Sequence, residues 1–252
     1  MNKTISEYGT IRKASDFDLP EDSFSEIFVS DKTFSNLKLL TFSGANDLIL
    51  SYSIQKVKEQ IKVKNYVGLI RTADGSQIEI LPKSSVNSAQ VARKMLLKML
   101  RVLPKSPYQS LSNAHLESCH LPILEIFVYV FLDELEKLLL QGLGKNYENK
   151  ASNEIFVKGK ILVTENIRQN FINKARFFVF YDEFLENISQ NKLLKTCLQW
   201  LYNQSFTNKT QQRILQNLAI FNEVSISTNI QQDLEKCKVK NRIFDRYNAV
   251  LN

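Results

Sequence analysis

The sequence predicts an α+β protein. A β-rich N-terminal domain occupies residues 1–84, and a mostly helical domain over 85–252 carries a long β-hairpin, a finger, at about 154–181. Three observations predict this. Apolar and polar residues alternate on both sides of the turn Ala73-Asp74-Gly75-Ser76, as in two half-buried strands. Apolar residues recur at intervals of three and four in the stretches 88–102, 122–141 and 190–202, as on one face of a helix. Alternation then returns at Ile155, Val157, Ile161 and Val163 and again over Arg176–Tyr181.

The first sixty residues offer short apolar pieces, Glu26–Val29, Leu37–Phe42 and Leu48–Tyr52, separated by Asp, Ser, Asn and Gly. Such spacing predicts strands and small helices joined by turns, without fixing their register. Asp74-Gly75 supplies the positive-φ geometry of a tight hairpin, and Pro82 closes the second strand. Asn87 or Ser88 caps a helix reaching Val102. Its apolar positions are Val91, Ala92, Met95, Leu96, Met99 and Leu100, and Arg93, Lys94, Lys98 and Arg101 make the other face basic. That face is either simply solvated or a contact for DNA or a partner. Pro104 and Pro107 end the helix.

A more apolar helix covers Pro122–Gln141, with Leu124, Phe127, Val128, Phe131, Leu135 and Leu138 as its core stripe and Gly142 at the C-terminal glycine position. In the finger, strands at about 154–163 and 176–181 flank the polar insert Thr164–Ala175. Helices follow at Gln190–Tyr202, burying Leu194, Cys197, Leu198 and Leu201, and at Gln211–Phe221. A short strand is expected at Val224–Ile226 and a last helix at Arg242–Leu251.

The chain carries 33 basic and 26 acidic residues, a net charge of +7, which permits contact with nucleic acid or an acidic protein without establishing either. Three widely spaced cysteines, Cys119, Cys197 and Cys237, form no disulfide framework and fit a reducing cytosol. The N-terminus lacks the apolar core of a signal peptide. The longest apolar run, Leu121–Leu132, is interrupted by Pro122 and Glu125 and is too short for a bilayer, which needs about 20 apolar residues. A cytoplasmic protein with no membrane contact is expected.

Two blocks of residues carry a family likeness. The first is Tyr66-Val67-Gly68-Leu69-Ile70, the Asp-Gly turn, and Ile78-Glu79-Ile80-Leu81-Pro82-Lys83. The second runs through Gly142-Leu143, Tyr147, Val157-Lys158-Gly159-Lys160-Ile161, Glu165-Asn166-Ile167-Arg168, Tyr181-Asp182-Glu183-Phe184 and Asn191-Lys192-Leu193-Leu194-Lys195. In this order the chain resembles the McrC family, the partner subunits of McrBC-type restriction systems that act on 5-methylcytosine-containing DNA. Lys192 departs from the pattern, where the family usually has Arg. The resemblance implies docking on a McrB-like AAA+ GTPase hexamer, with a finger-like projection entering its pore and stimulating hydrolysis. In that setting Arg168, Asn170, Lys174 and Arg176 of the finger would make charge-assisted hydrogen bonds to the partner.

McrC proteins typically add a C-terminal nuclease domain of the PD-(D/E)xK type, in which acidic residues hold Mg²⁺ and activate water. No Asp here has a Lys two residues on, and one Glu does, in Glu148-Asn149-Lys150. That tripeptide sits in a polar stretch after a helix, away from any apolar strand, so the nuclease domain is expected to be absent. Gly142-Leu143-Gly144-Lys145 departs from a phosphate-binding loop, with Leu139 at its first glycine position and Asn146 in place of Ser or Thr. His115, Cys119 and His120 lack a fourth ligand for a structural zinc site. The chain is therefore expected to bind no cofactor, with GTP and Mg²⁺ held by the partner or by the missing nuclease domain.

The leading reading is an McrC-like coupling subunit without its own nuclease centre, reaching DNA through the complex. Two rivals stand beside it. An endonuclease subunit with an unrecognised metal site would lose cleavage on Glu148→Ala, and a nucleic-acid-binding module using Arg93–Arg101 would bind DNA in a steeply salt-dependent way.

Overall fold

Period-two patterning in the first eighty residues is realised as two small sheets. In the computed structural model, which describes residues 2–42, 49–55, 57–84, 88–103, 108, 118, 120–204, 206–238 and 242–251, strands β1 (Asn2–Ser6), β2 (Thr10–Lys13), β3 (Glu26–Val29), β4 (Leu50–Gln55), β5 (Lys58–Val63), β6 (Gly68–Arg71) and β7 (Gln77–Leu81) form them. One sheet has the order β3-β2-β5-β4 and the other β1-β7-β6. The N-terminal strand lies parallel to β7, and β6 and β7 are the antiparallel pair around the Asp74-Gly75 turn. Gly75 has a φ of +83°. Asp74 accepts hydrogen bonds from Ser76, Thr33 and Asn36. Ser76 and Thr72 lead the interactions that hold its carboxyl well below the usual range.

The residues Leu37–Phe42 belong to helix α1 (Asp31–Phe42). Its buried Phe34 and Leu37 join Ile5, Ile11, Ile27, Ile61 and Ile80 in one apolar core. A second core follows, where Leu81 meets Ala92 and Leu97 of helix α2 (Ala89–Val102) and Ile123 and Ile126 of helix α3 (Ile123–Leu140). The chain accordingly separates into units Met1–Val130 and Phe131–Asn252, so that α2 belongs with the N-terminal strands. Glu79 ties these pieces together. Its buried carboxylate accepts two bonds from Arg93 at 2.8 and 2.6 Å, one from Thr4 at 2.8 Å and one from the backbone N–H of Ile123 at 2.9 Å. The last satisfies a donor in the first turn of α3, where negative charge is favoured. Ser88 stands at the N-cap of α2 with extended backbone but makes no capping bond through its side chain, and Asn87 lies outside the described residues.

Helix α3 is apolar on several sides. Ile123, Ile126, Val130, Leu132 and Leu135 are buried, whereas Leu124, Phe127 and Phe131 of the expected stripe are half-buried. Gly142 follows α3 with a φ of +80°, the left-handed geometry expected there.

The second unit holds the strands β8 (Asn146–Glu154), β9 (Lys160–Ile161) and β10 (Phe177–Leu185), in the order β8-β10-β9, and the helices α4 (Val163–Asn170), α5 (Ser189–Tyr202), α6 (Asn208–Ile220) and α7 (Ile230–Lys238). Leu194, Leu198 and Leu201 of α5 are buried as predicted, with Leu193 beside them. Arg213 of α6 holds Glu136 and Asp133 of α3. Lys195 donates to the carbonyls of Phe221 and Val224, which use the backbone acceptors just past the end of α6. Val224–Ile226 forms no strand, and Arg242–Leu251 is a 3-10 turn, Arg242–Tyr247, before the short helix α8 (Asn248–Leu251). Cys197 and Cys237 are free thiols. Among the described residues no helix is long and apolar enough to cross a membrane.

Candidate functional site

The hairpin is displaced from its predicted position. Its paired strands are β8 and β10, in antiparallel register from Asn146↔Leu185 to Glu154↔Phe177. At nine residues each they make a ribbon about 30 Å long. Ile155–Val157, expected inside a strand, are exposed and outside any strand, with a bend at Ile155 and Phe156. The predicted strand at 154–163 shrinks to Lys160–Ile161, paired with Phe180 and Val179. The polar insert is no loop either, since Val163–Asn170 is helical. β8 escaped prediction because it is mostly polar: with no buried face, its sequence shows no alternation of hydrophobicity.

Gly159 is what lets the chain turn back onto β10. Its φ is +63°, and a Cβ there would lie 2.4 Å from the carbonyl oxygen of Phe180. The following helix is fixed to the ribbon by side-chain amides. Asn170 and Asn153 bond reciprocally, and Asn166 Oδ1 accepts from both Asn170 and the backbone N–H of Phe178. At the end of β8 the Glu154 carboxyl accepts from Ser152 and Tyr181, which together hold it below its ordinary value.

The surface so presented is apolar and cationic. Ile155, Phe156, Val157, Val163, Ile167, Phe171 and Ile172 are all exposed, Phe171 at 77 % and Ile172 at 95 %. Over 155–176 the chain carries five cations, Lys158, Lys160, Arg168, Lys174 and Arg176, against the single carboxylate Glu165. Lys158 lies over the rings of Phe156 and Tyr181, at 5.7 and 5.2 Å. An exposed apolar surface of this kind marks an interaction site. No nucleophile or general base is set up on it.

Of the predicted finger residues, Arg168, Lys174 and Arg176 are exposed on this excursion. Asn170 is not. It is 6 % exposed and spends its amide on Asn153 and Asn166, so it positions the helix instead of facing a partner. The basic helix needs the same correction at one position: Lys94, Lys98 and Arg101 of α2 are exposed, while Arg93 is buried in its ion pair with Glu79. Sequence reading missed Ile155, Val157 and Val163 as surface residues because their spacing mimics a half-buried strand, and it passed over Ile167, Phe171 and Ile172 inside an insert read as polar.

Glu148-Asn149-Lys150 does lie on a strand, β8, contrary to expectation. Glu183 stands opposite Glu148, and the Lys150 ammonium pairs with Glu183 at 2.9 Å. Among the described residues no three His, Cys, Asp or Glu side chains come together to hold a metal ion. His115 and Cys119 lie outside those residues, and His120 is exposed. In the Gly142–Lys145 loop the polar groups are engaged within the chain. The N–H of Gly144 is bonded to the Tyr247 hydroxyl at 2.6 Å, and Lys145 pairs with Glu186.

The second unit thus bears a two-stranded ribbon followed by an excursion that is apolar and cationic. The sequence model of the McrBC 5-methylcytosine restriction system component family matches residues 61–252, and the chain belongs to that family as an McrC-family protein. Among solved structures, the whole chain superposes on a chain of the cryo-EM structure of the Thermococcus gammatolerans McrBC complex. The TM-score is 0.67 and the identity 18%, and 78% of that chain is covered. It also superposes, with a TM-score of 0.67 and 17% identity, on 63% of a chain in a refined half-complex from the tetradecameric assembly of Thermococcus gammatolerans McrB AAA+ hexamers with bound McrC. The present chain thus spans less than two thirds of that second chain's length. No curated protein matches the sequence.

Proposed function

We propose that this chain is the docking and coupling subunit of a McrBC-type restriction system. It engages a McrB-like AAA+ GTPase hexamer through the ribbon and α4 and stimulates GTP hydrolysis. The observation that carries this reading is the solvent-exposed set of large apolar side chains and cations over residues 155–176, raised on a ribbon that buries little of its own surface. A two-stranded ribbon is marginal alone and gains stability when a partner covers it. The fold likeness to a complex described as McrB hexamers with bound McrC supports the same partner. Phe171 and Ile172 would supply apolar contact, and Arg168, Lys174 and Arg176 charge-assisted hydrogen bonds in a narrow, partly desolvated channel. GTP and its Mg²⁺ belong to the partner in this reading, and DNA is met through the complex.

The test is GTP turnover by the cognate McrB-like hexamer with and without this chain, with DNA cleavage followed in the same tubes. Stimulated turnover that falls at least about tenfold in a Phe171→Ser/Ile172→Ser variant, and severalfold in Arg168→Ala, is the expected result. Turnover unmoved by the chain, or stimulation untouched by these changes, rejects the assignment. Metal-dependent cleavage lost on Glu148→Ala would favour the nuclease reading instead.

A further inference from the structure

The N-terminal unit carries a second exposed surface, on α2. The helix reads AQVARKMLLKMLRV and contains no acidic residue. Its inward side is already committed, Ala92 and Leu97 to the apolar core and Arg93 to Glu79. Yet Val91, Met95, Met99 and Val102, spaced four, four and three residues apart, line up along its outer side. They are 44, 38, 48 and 80 % exposed. Lys94, Lys98 and Arg101, also exposed, run along one flank of this apolar stripe. The other flank turns into the protein through Ala92 and the half-buried Leu96. A helix that only had to be soluble would carry polar residues at the four outer apolar positions.

We propose that this face docks an acidic amphipathic helix of another polypeptide. The two adjoining stripes ask for complementary chemistry: an apolar seam against Val91, Met95, Met99 and Val102, and carboxylates on one side of that seam to meet the cations. Duplex DNA supplies phosphate but no apolar surface to cover four side chains. A helix lying in an anionic membrane surface buries its apolar face between cations on both flanks, whereas here they occupy one. Fourteen residues give a contact about 21 Å long, or about four turns of a partner helix. The two methionines suit such a surface, since their unbranched side chains adapt to the shape laid against them. This is recognition of a helix by its i, i+4, i+7 anchors, with charge fixing the orientation. It is independent of the ribbon and of the GTPase reading.

The experiment uses the whole chain and fluorescence anisotropy. The probe is a labelled synthetic helix with a leucine stripe flanked on one side by glutamates. Its controls are the same helix with lysines for glutamates, a scrambled acidic peptide, a short DNA duplex, and vesicles of phosphatidylserine and phosphatidylcholine. The acidic helix is expected to bind in preference to all four. Met95→Gln/Met99→Gln should weaken it at least about tenfold with an unchanged thermal melt, because both side chains are exposed. Lys94→Glu/Lys98→Glu should abolish that binding and transfer it to the lysine-flanked helix. Equal binding of the scrambled peptide, indifference to the methionine changes, failure of the charge swap, or stronger binding to duplex or vesicles would each overturn the proposal.

Discussion

The side-chain amides of Asn170 and Asn153 exchange two hydrogen bonds, at 2.8 and 2.9 Å, between the last residue of α4 and the penultimate residue of β8. Asn166 completes the set by accepting from Asn170 and from the N–H of Phe178. Three short side chains thereby fix the pose of a helix whose other residues mostly face solvent. Replacing Asn170 by Ala removes its three bonds and leaves Asn153 without this partner. A loss of about 1–3 kcal/mol is expected, concentrated in the excursion. Hydrogen exchange should quicken over 163–176 and stay unchanged in α5 and α6. Equal quickening across the whole second unit would mean that the amides support more than the pose of α4.

Gly159 tests the turn that precedes this helix. Alanine at a φ of +63° is strained in itself, and its Cβ would meet the Phe180 carbonyl oxygen at 2.4 Å, a backbone atom that cannot swing aside. Gly159→Ala should cost about 2 kcal/mol or more and undo the short pairing of β9 with β10. Gly75→Ala is the comparison. It shares the positive φ but meets nothing within 4 Å, so it should cost less. Urea denaturation of the two variants ranks them, and equal losses would remove the steric contribution assigned to Phe180.

What the sequence disclosed and what it hid divide along burial. Strands with an alternating sequence, such as β5 and β7, and helices with a buried stripe, such as α5, announced themselves through period, although β7 is buried on both faces with Glu79 taken up by Arg93. β8 has no buried face, so its pairing with β10 left no trace in hydrophobicity. Leu37–Phe42 went unassigned because six residues are too few to separate a helix from a strand. In the candidate site the cations were legible as exposed, since long charged side chains rarely bury. Arg93 broke that expectation, and the polar Asn170 was buried likewise, through partners distant in sequence, Glu79 and Asn153, which no local pattern contains. The exposed Phe171 and Ile172 were hidden for another reason, because they stand among the polar residues of Thr164–Ala175 and two adjacent apolar residues set up no period.

One residue of the family likeness, Asn191, holds the base of the ribbon. Tyr247 donates to Asn191 Oδ1 at 2.7 Å and accepts from the N–H of Gly144, while the Asn191 amide donates to the carbonyls of Gly144 and Glu186. The entry to β8, the exit from β10, and the C-terminal segment thus meet at one buried amide. Tyr247→Phe keeps the ring packing but strands the Gly144 N–H, and a cost of about 1–3 kcal/mol is expected. Asn191→Leu loses more, because two carbonyls and the hydroxyl lose this partner together. Thermal melts of the two variants check the order, and a Tyr247→Phe protein as stable as the parent would mean that the Gly144 N–H finds another acceptor.

A pH dependence is built into the N-terminal unit at Glu59, which ion-pairs with Lys13 and Lys38 and accepts from the Tyr52 hydroxyl. The bond from Lys13, then those from Lys38 and Tyr52, bring its carboxyl from an ordinary 4.5 down to about 2. A carboxyl whose value is lower in the folded than in the unfolded state binds fewer protons when folded, so its contribution is fully present above about 4.5. That contribution is lost as the pH falls through 4.5 towards 2. The cluster is partly open to solvent, and screening leaves its worth on the order of 1 kcal/mol at neutral pH. Glu59→Gln should lower stability by about that amount at pH 7 and flatten the acid limb of the stability curve between about 4.5 and 2 without erasing it, because Asp74 is depressed as well. Denaturant midpoints measured across that interval decide it: parallel curves for parent and variant would place the acid sensitivity in carboxylates other than Glu59.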